Sequence, residues 1–164
     1  MSIAFIALGT NKGNRLDNLK KAVRCFENDA KTTVIKKSLI YETKPFGYRE
    51  QGDFLNAVIK INTNYLLKDL FNFIKEIEKR LGRTESFRWG PREIDIDILF
   101  YDDLVHSDDV ITIPHPGIPE RDFVLIPLSE IEPELVHPVL KKKISDICSC
   151  LKDRTVIKKL QVKL

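Results

Sequence analysis

The sequence predicts an α+β fold: a ferredoxin-like antiparallel sheet in β-α-β-β-α-β order, helices packed on it, and a C-terminal extension, all in a single domain spanning residues 1–164. Three observations predict it. Residues 3–8, 32–43, 53–63 and 93–101 have the apolar or alternating pattern of strands. Two amphipathic runs between them repeat at helical spacing, and Gly, Pro and Asn fall at the joins. At 164 residues the chain is long enough to bury a full core.

Residues 3–8 are apolar at almost every position, as in a central strand covered on both faces. The following turn, residues 9–14, contains two glycines but matches neither the P-loop nor the dinucleotide pattern, so it reads as structural. Asn14 is placed to cap a first helix, with Asp17 three residues on and Leu16, Leu19, Val23 and Phe26 as its stripe, ending near Asp29. Residues 32–43 are rich in β-branched side chains and form a second strand. Residues 44–52, with Pro45, Gly47 and Gly52 and no apolar period, form a loop.

The third strand has two different faces. Leu55, Ala57, Ile59 and Ile61 make one apolar face, while Phe54, Asn56 and Val58 lie on the other. Phe54 and Asn56 side by side suit stacking on and hydrogen bonding to a flat heterocycle; they equally suit a cross-strand aromatic beside a turn-proximal amide. Asn64 is placed to cap a second helix with the stripe Leu67, Leu70, Phe71, Ile74, Ile77 and Leu81, stopped by Gly82. Glu78, one turn before that end, faces either a site or solvent. Both helices then cover one face of the sheet and leave the other for chemistry.

The fourth strand carries the strongest signal. Ile94, Ile96 and Ile98 point to one side and Asp95 and Asp97 to the other, with Cα atoms about 7 Å apart. Two such carboxylates suit a hard cation, and Mg²⁺ is commonly held by one or two carboxylates with water and phosphate completing its shell. Just upstream lie Arg83, Arg88 and Arg92, whose guanidinium forks match phosphate oxygens, and Trp89, Gly90 and Pro91. An alternating Ile-Asp run alone is also what a half-solvated strand shows; the clustered arginines favour a magnesium-bound polyphosphate site.

The last third is less regular. Thr112 and His115 flank Pro114 in a stiff segment, with Arg121 and Phe123 shortly after; residues 127–138 read as a proline-punctuated connector. Residues 141–151 fit a small packing helix, and the Lys-rich tail beyond it a solvated edge. Net charge is only +3, which argues against bulk nucleic-acid binding but not against a small anion held by local arginines. Cys25, Cys148 and Cys150 have neither disulfide nor zinc spacing, which suggests a reducing compartment. No run is long enough to span a membrane or patterned as a leader, so the expected location is the cytoplasm.

The run Arg88-Trp-Gly-Pro-Arg-Glu-Ile-Asp-Ile-Asp-Ile-Leu, with Asp53-Phe-Leu-Asn-Ala-Val upstream and Ile113-Pro-His-Pro and Glu120-Arg-Asp-Phe-Val-Leu-Ile-Pro-Leu downstream, closely resembles the 6-hydroxymethyl-7,8-dihydropterin pyrophosphokinases of folate biosynthesis. The resemblance implies transfer of pyrophosphate from ATP to the pterin hydroxymethyl oxygen, with release of AMP and two Mg²⁺ ions. It implies that Asp95 and Asp97 hold the metal and, with Arg83 and Arg92, form the catalytic group. Phe54 and Phe123 would sandwich the pterin, Asn56 would bond its edge, and Thr43, Pro45, Phe46 and Trp89 would complete that pocket. Glu78, Arg83, Trp89, Arg92, Ile98, Thr112, His115 and Arg121 would surround ATP, with residues 44–52 and 83–92 as lids. The implied partners are these two small substrates, not nucleic acid or membrane, in a monomer or homodimer. The chain departs from the pattern at Thr84 to Phe87, Gly52, Val110 and Gly117, which implies fewer cations near ATP. A ferredoxin-like RNA-binding module would instead need a basic-aromatic run on the central strands, and a metal-dependent phosphodiesterase further Asp or His ligands.

Overall fold

A computed structural model describes residues 1–84, 87–88 and 90–164. Strand β1 (Ser2–Thr10) lies inside an antiparallel sheet, paired with β4 (Phe54–Thr63) on one side and β5 (Asp95–Tyr101) on the other. The predicted strand over 32–43 is two strands, β2 (Thr32–Lys37) and β3 (Ile40–Thr43), which share the outer edge of β4 end to end. The break falls at Ser38. Its N–H donates to the Val58 carbonyl, but its hydroxyl, not its backbone, accepts the Val58 N–H at 2.9 Å. A side chain has entered the ladder, and the strand bends there.

Helices α1 (Arg15–Glu27) and α2 (Leu67–Arg80) cover one face. Their stripes meet Ile6, Leu8, Leu55, Ile59, Ile61, Ile94 and Ile96 in the larger core. Asn14 caps α1 as its spacing predicts, its side-chain oxygen accepting from the Asp17 N–H at 3.1 Å. Asn64 does not cap α2. It donates its N–H to the Lys31 carbonyl, tying β4 to the start of β2, and the helix begins behind Leu66 with no side-chain cap.

The other face is not left wholly open. Helix α3 (Asp122–Ile131) and the short α4 (Ile144–Ser149) pack over Phe5, Val58, Leu99 and Phe100. The expected connector over 127–138 is therefore helical at its start, with Pro127 inside α3. Such a proline costs about 3 kcal/mol in an isolated helix; here burial of Val124, Leu125, Leu128 and Ile131 overrides it. The Lys-rich tail is also corrected: β8 (Val156–Leu160) pairs antiparallel with β3, giving the order β5-β1-β4-β3-β8, and Leu160 packs against the larger core. A two-strand hairpin, β6 (His106–Ser107) and β7 (Thr112–Ile113), follows β5. Among the described residues, no helix is long and apolar enough to cross a membrane.

Candidate active site

Strand register builds the site. Asp95 lies opposite Gly9, Gly9 opposite Asn56, and Asn56 opposite Tyr41; in the next row Asp97 lies opposite Ala7 and Ala7 opposite Val58. Directly opposed residues share a face, so two carboxylates and an amide point across a floor made of Ala7 and Gly9. The floor has to be low. A Cβ on Gly9 would stand 2.9 Å from the Asn56 side-chain oxygen. Above it is a cavity of about 290 Å³.

One wall comes from β3, β4 and the loop after β3. Asn56 donates to the Thr43 hydroxyl at 2.7 Å, both groups being buried, and Phe54 and Phe46 stand beside them. The facing wall is Phe123 at the start of α3. Its ring centroid is 5.9 Å from that of Phe46, at 56°, and the Arg121 guanidinium caps both rings at 5.6 and 5.8 Å. Gly117 makes room for that guanidinium, because a Cβ there would fall 2.6 Å from Arg121 Nε.

The third side is charged. Asp95 Oδ1 accepts from Arg92 at 2.7 Å and lies 3.1 Å from Arg83. Behind them Glu78, only 3% exposed, takes Lys75 at 2.8 Å, Arg83 and the Ile96 N–H at 2.8 Å. Enclosure deep in the cleft, then the neighbouring Asp95 charge, pushes the Asp97 carboxyl up to about 6, with Lys75 and Arg121 pulling the other way. Asp97 still keeps 36% of its side-chain surface open, and that surface faces the cavity. His115 is fixed by its own N–H to the Leu99 carbonyl (2.9 Å) and by Nδ1, which accepts from the Gly117 N–H (3.1 Å). Burial, then Arg121, pushes its pKa down to about 4 against the pull of Asp95. It is neutral at pH 7, with the proton on Nε2, 4.0 Å from Asp97 Oδ2.

Eleven of the residues singled out from sequence for a binding or catalytic part line this cavity: Thr43, Phe46, Phe54, Asn56, Arg88, Arg92, Asp95, Asp97, His115, Arg121 and Phe123. Others do not. Pro45 sits between two lining residues, and Glu78 and Arg83 stand behind Asp95. The Ile98 side chain is in the core beneath the helices. Ile96, two residues earlier, sends its N–H outward to Glu78, and strand alternation turns the Ile98 backbone N–H and carbonyl to the same side. Thr112 is exposed on the hairpin, its hydroxyl 3.3 Å from that of Ser107. Trp89, and Glu85 and Ser86 of the 84–87 departure, lie outside the described residues.

Lys44, within the 43–46 stretch expected at the pocket, lines the cavity, whereas Ala7 and Gly9, which also line it, were given no part in the site by the sequence. The available signal was the pair of small residues two apart in β1. Sequence reasoning also undervalued the turn over 9–14. Asn11 donates to Gln51 at 2.9 Å and to the Gly52 carbonyl at 3.0 Å, and accepts the Arg92 N–H at 2.8 Å, so it holds the roots of both flanking loops. The loops also touch each other, Tyr48 meeting Phe87 edge-on at 5.0 Å.

Paired carboxylates under guanidinium groups, facing an aromatic cleft across a side-chain-poor floor, are the donor set of phosphotransfer chemistry. The comparisons narrow it. The profile of the 7,8-dihydro-6-hydroxymethylpterin-pyrophosphokinase (HPPK) family matches residues 5–133, and the chain belongs to that family. It is 42% identical over 146 residues to the 2-amino-4-hydroxy-6-hydroxymethyldihydropteridine pyrophosphokinase of Aquifex aeolicus, covering 89% of this chain and 90% of that one. With the Bacillus subtilis protein of the same description the identity is 45% over 130 residues, covering 79% and 78%. The folic acid synthesis protein of Dictyostelium discoideum is 43% identical over 139 residues, which is 85% of this chain but 21% of that much longer protein. Among solved structures, Plasmodium falciparum HPPK-DHPS with SDX-DHP has a TM-score of 0.70 at 19% identity, covering 91% of this chain and 43% of that one, a likeness of fold. The enzyme transfers pyrophosphate to the hydroxymethyl group of its pterin in folate biosynthesis.

Proposed function

We propose that ATP is the donor, that AMP leaves, and that the transfer takes place over the Ala7–Gly9 floor in a ferredoxin-like fold. The observation that carries this reading is the placing of Asp95 and Asp97, two apart on β5, facing the cavity opposite the Phe46–Phe123 wall. The strand order β5-β1-β4 followed by the β2/β3 edge, with α1 and α2 on one face, supports the fold assignment.

The pterin ring would lie in the aromatic cleft, its edge met by Asn56, whose amide is already oriented by Thr43. ATP would lie along the open edge of β5, within reach of the Ile98 backbone, His115 and the arginines. Two carboxylates are a hard-oxygen donor set, and among the described residues no cluster of three or more His, Cys, Asp and Glu offers an all-protein cage. That donor set fits Mg²⁺ arriving with a polyphosphate. When bound, the metal would supply charge neutralisation at the phosphates.

The pterin oxygen attacks the β-phosphorus, and the bond from that phosphorus to the oxygen bridging the α-phosphate breaks; AMP departs with the bridging oxygen and the hydroxyl proton passes to solvent. Arg92 and Arg121 face the moving pyrophosphate, and Arg83 stands behind Asp95. His115, held near 4, is a donor through Nε2 and not a base at neutral pH. A soluble location in the cytoplasm is consistent with this chemistry.

The test is to incubate the protein with ATP, Mg²⁺ and 6-hydroxymethyl-7,8-dihydropterin and to separate the nucleotides by chromatography. AMP appearing only with pterin is expected, and Asp97→Asn should lower its rate at least about a hundredfold in a folded protein. ADP in place of AMP, or no nucleotide change, refutes the reading.

A further inference from the structure

The family profile stops at residue 133, yet a segment well beyond it reaches back to the site. Asp122, the first residue of α3, is 1% exposed. Its carboxylate leaves its own helix and accepts three bonds from the C-terminal segment: the Thr155 hydroxyl on Oδ1, and the Thr155 N–H and the Val156 N–H (2.9 Å) on Oδ2. The Thr155 carbonyl in turn accepts the Lys44 N–H at 2.8 Å.

These bonds join the two walls of the cleft. Asp122 stands between Arg121 and Phe123, whereas Lys44 follows Thr43 and stands two residues before Phe46. Val156 pairs with Thr43 in the sheet, so Thr155 lies where β3 runs out into the first loop. The two walls also meet directly, where Phe46 touches Phe123 and lies under the Arg121 guanidinium. The far end of α3 has its own anchor: Glu130 accepts the Tyr41 hydroxyl and the Leu39 N–H (3.1 Å).

We propose that Asp122 and Thr155 form a positioning clasp, by which the C-terminal segment sets the spacing of the pterin cleft between Phe123 and the first loop. This rests on the reading of the cleft given above. Asp122 touches no substrate and acts through Arg121 and Phe123. A misplacement of about 1 Å in such a wall is enough to cost up to a hundredfold in rate.

The test compares Asp122→Ala with Glu130→Ala, which loosens the same helix at its other end. Asp122→Ala should lower kcat/KM for the pterin about tenfold or more, chiefly by raising KM. Glu130→Ala should lower the thermal midpoint while leaving that KM within about twofold. Asp122→Asn should restore most of the loss, since its amide oxygen can accept both N–H groups and its nitrogen can donate to Thr155 Oγ1. Should Asp122→Ala fail to fold, Thr155→Val, which removes the hydroxyl alone, decides through a smaller rise of the pterin KM. Equal kinetic constants in Asp122→Ala and Glu130→Ala, or an unchanged KM in Thr155→Val, overturn the clasp. Hydrogen exchange without substrate gives a readout independent of the reaction. Faster exchange over both 43–47 and 121–126 in Asp122→Ala only is expected, even if the protein forms no AMP; unchanged exchange there overturns the proposal.

Discussion

Gly117 stands where the Arg121 guanidinium lies, and that packing relation gives it a part the sequence could not show. As a departure from the family pattern, Gly117 implies fewer cations beside ATP. In the structure its missing side chain is what lets a cation 4 positions later cap Phe46 and Phe123. Gly117→Ala would put a Cβ 2.6 Å from Nε and 3.0 Å from Cδ. The Arg121 chain is flexible, so the fold should survive; kcat/KM should fall about tenfold with an unchanged thermal midpoint, measured by steady-state kinetics beside thermal unfolding. Asp95 and Asp97 were legible because a two-residue period fixes direction whatever the partners. Gly117, Gly9 and Glu78 were not, because their meaning is a distance to a residue on another element. Glu78 in particular looked able to face either way, and only the placing of α2 against the β5 edge turns it to Arg83 and the Ile96 N–H.

At the level of elements, sequence pattern served best where one face alone is buried. The stripes of α1 and α2 and the two faces of β4 were all legible. Ser38 was not, since a hydroxyl taking a backbone's place in a ladder leaves no periodic trace. Nor was α3, where Pro127 argues locally against a helix that tertiary burial sustains. The segment after α3 carries a test of this packing. His137 is 5% exposed, edge-on to Phe100 at 5.4 Å, and its Nδ1 accepts from the Val139 and Leu140 N–H groups at 3.3 and 3.2 Å. Burial lowers its pKa, so folding favours the neutral ring. The stability it contributes is present above the unfolded value of about 6.5 and is lost as pH falls below it, by up to about 1.4 kcal/mol per pH unit until the folded value is reached. Denaturant unfolding at about pH 7.5 and about pH 5.5 should show this loss in the wild type, and a smaller one in His137→Gln.

Over the whole molecule, the cleft exists because four strands agree in register and two helices stop short of covering their second face. The succession of the first strands and helices along the chain could be anticipated, whereas the pairing of Asp95 with Gly9 and Asn56 required the register itself. The same architecture gathers the two loops beside the cleft onto one turn, through Asn11, and lets them meet at Tyr48 and Phe87. Movements that share a pivot and a contact are not statistically independent. An opening of either loop would break the shared Tyr48–Phe87 contact, so the two openings are expected to be coupled and release of a bound molecule to follow one waiting time instead of two in series. A fluorescent reporter on either loop should relax with the same single exponential, and Phe87→Ala should split that common rate into two.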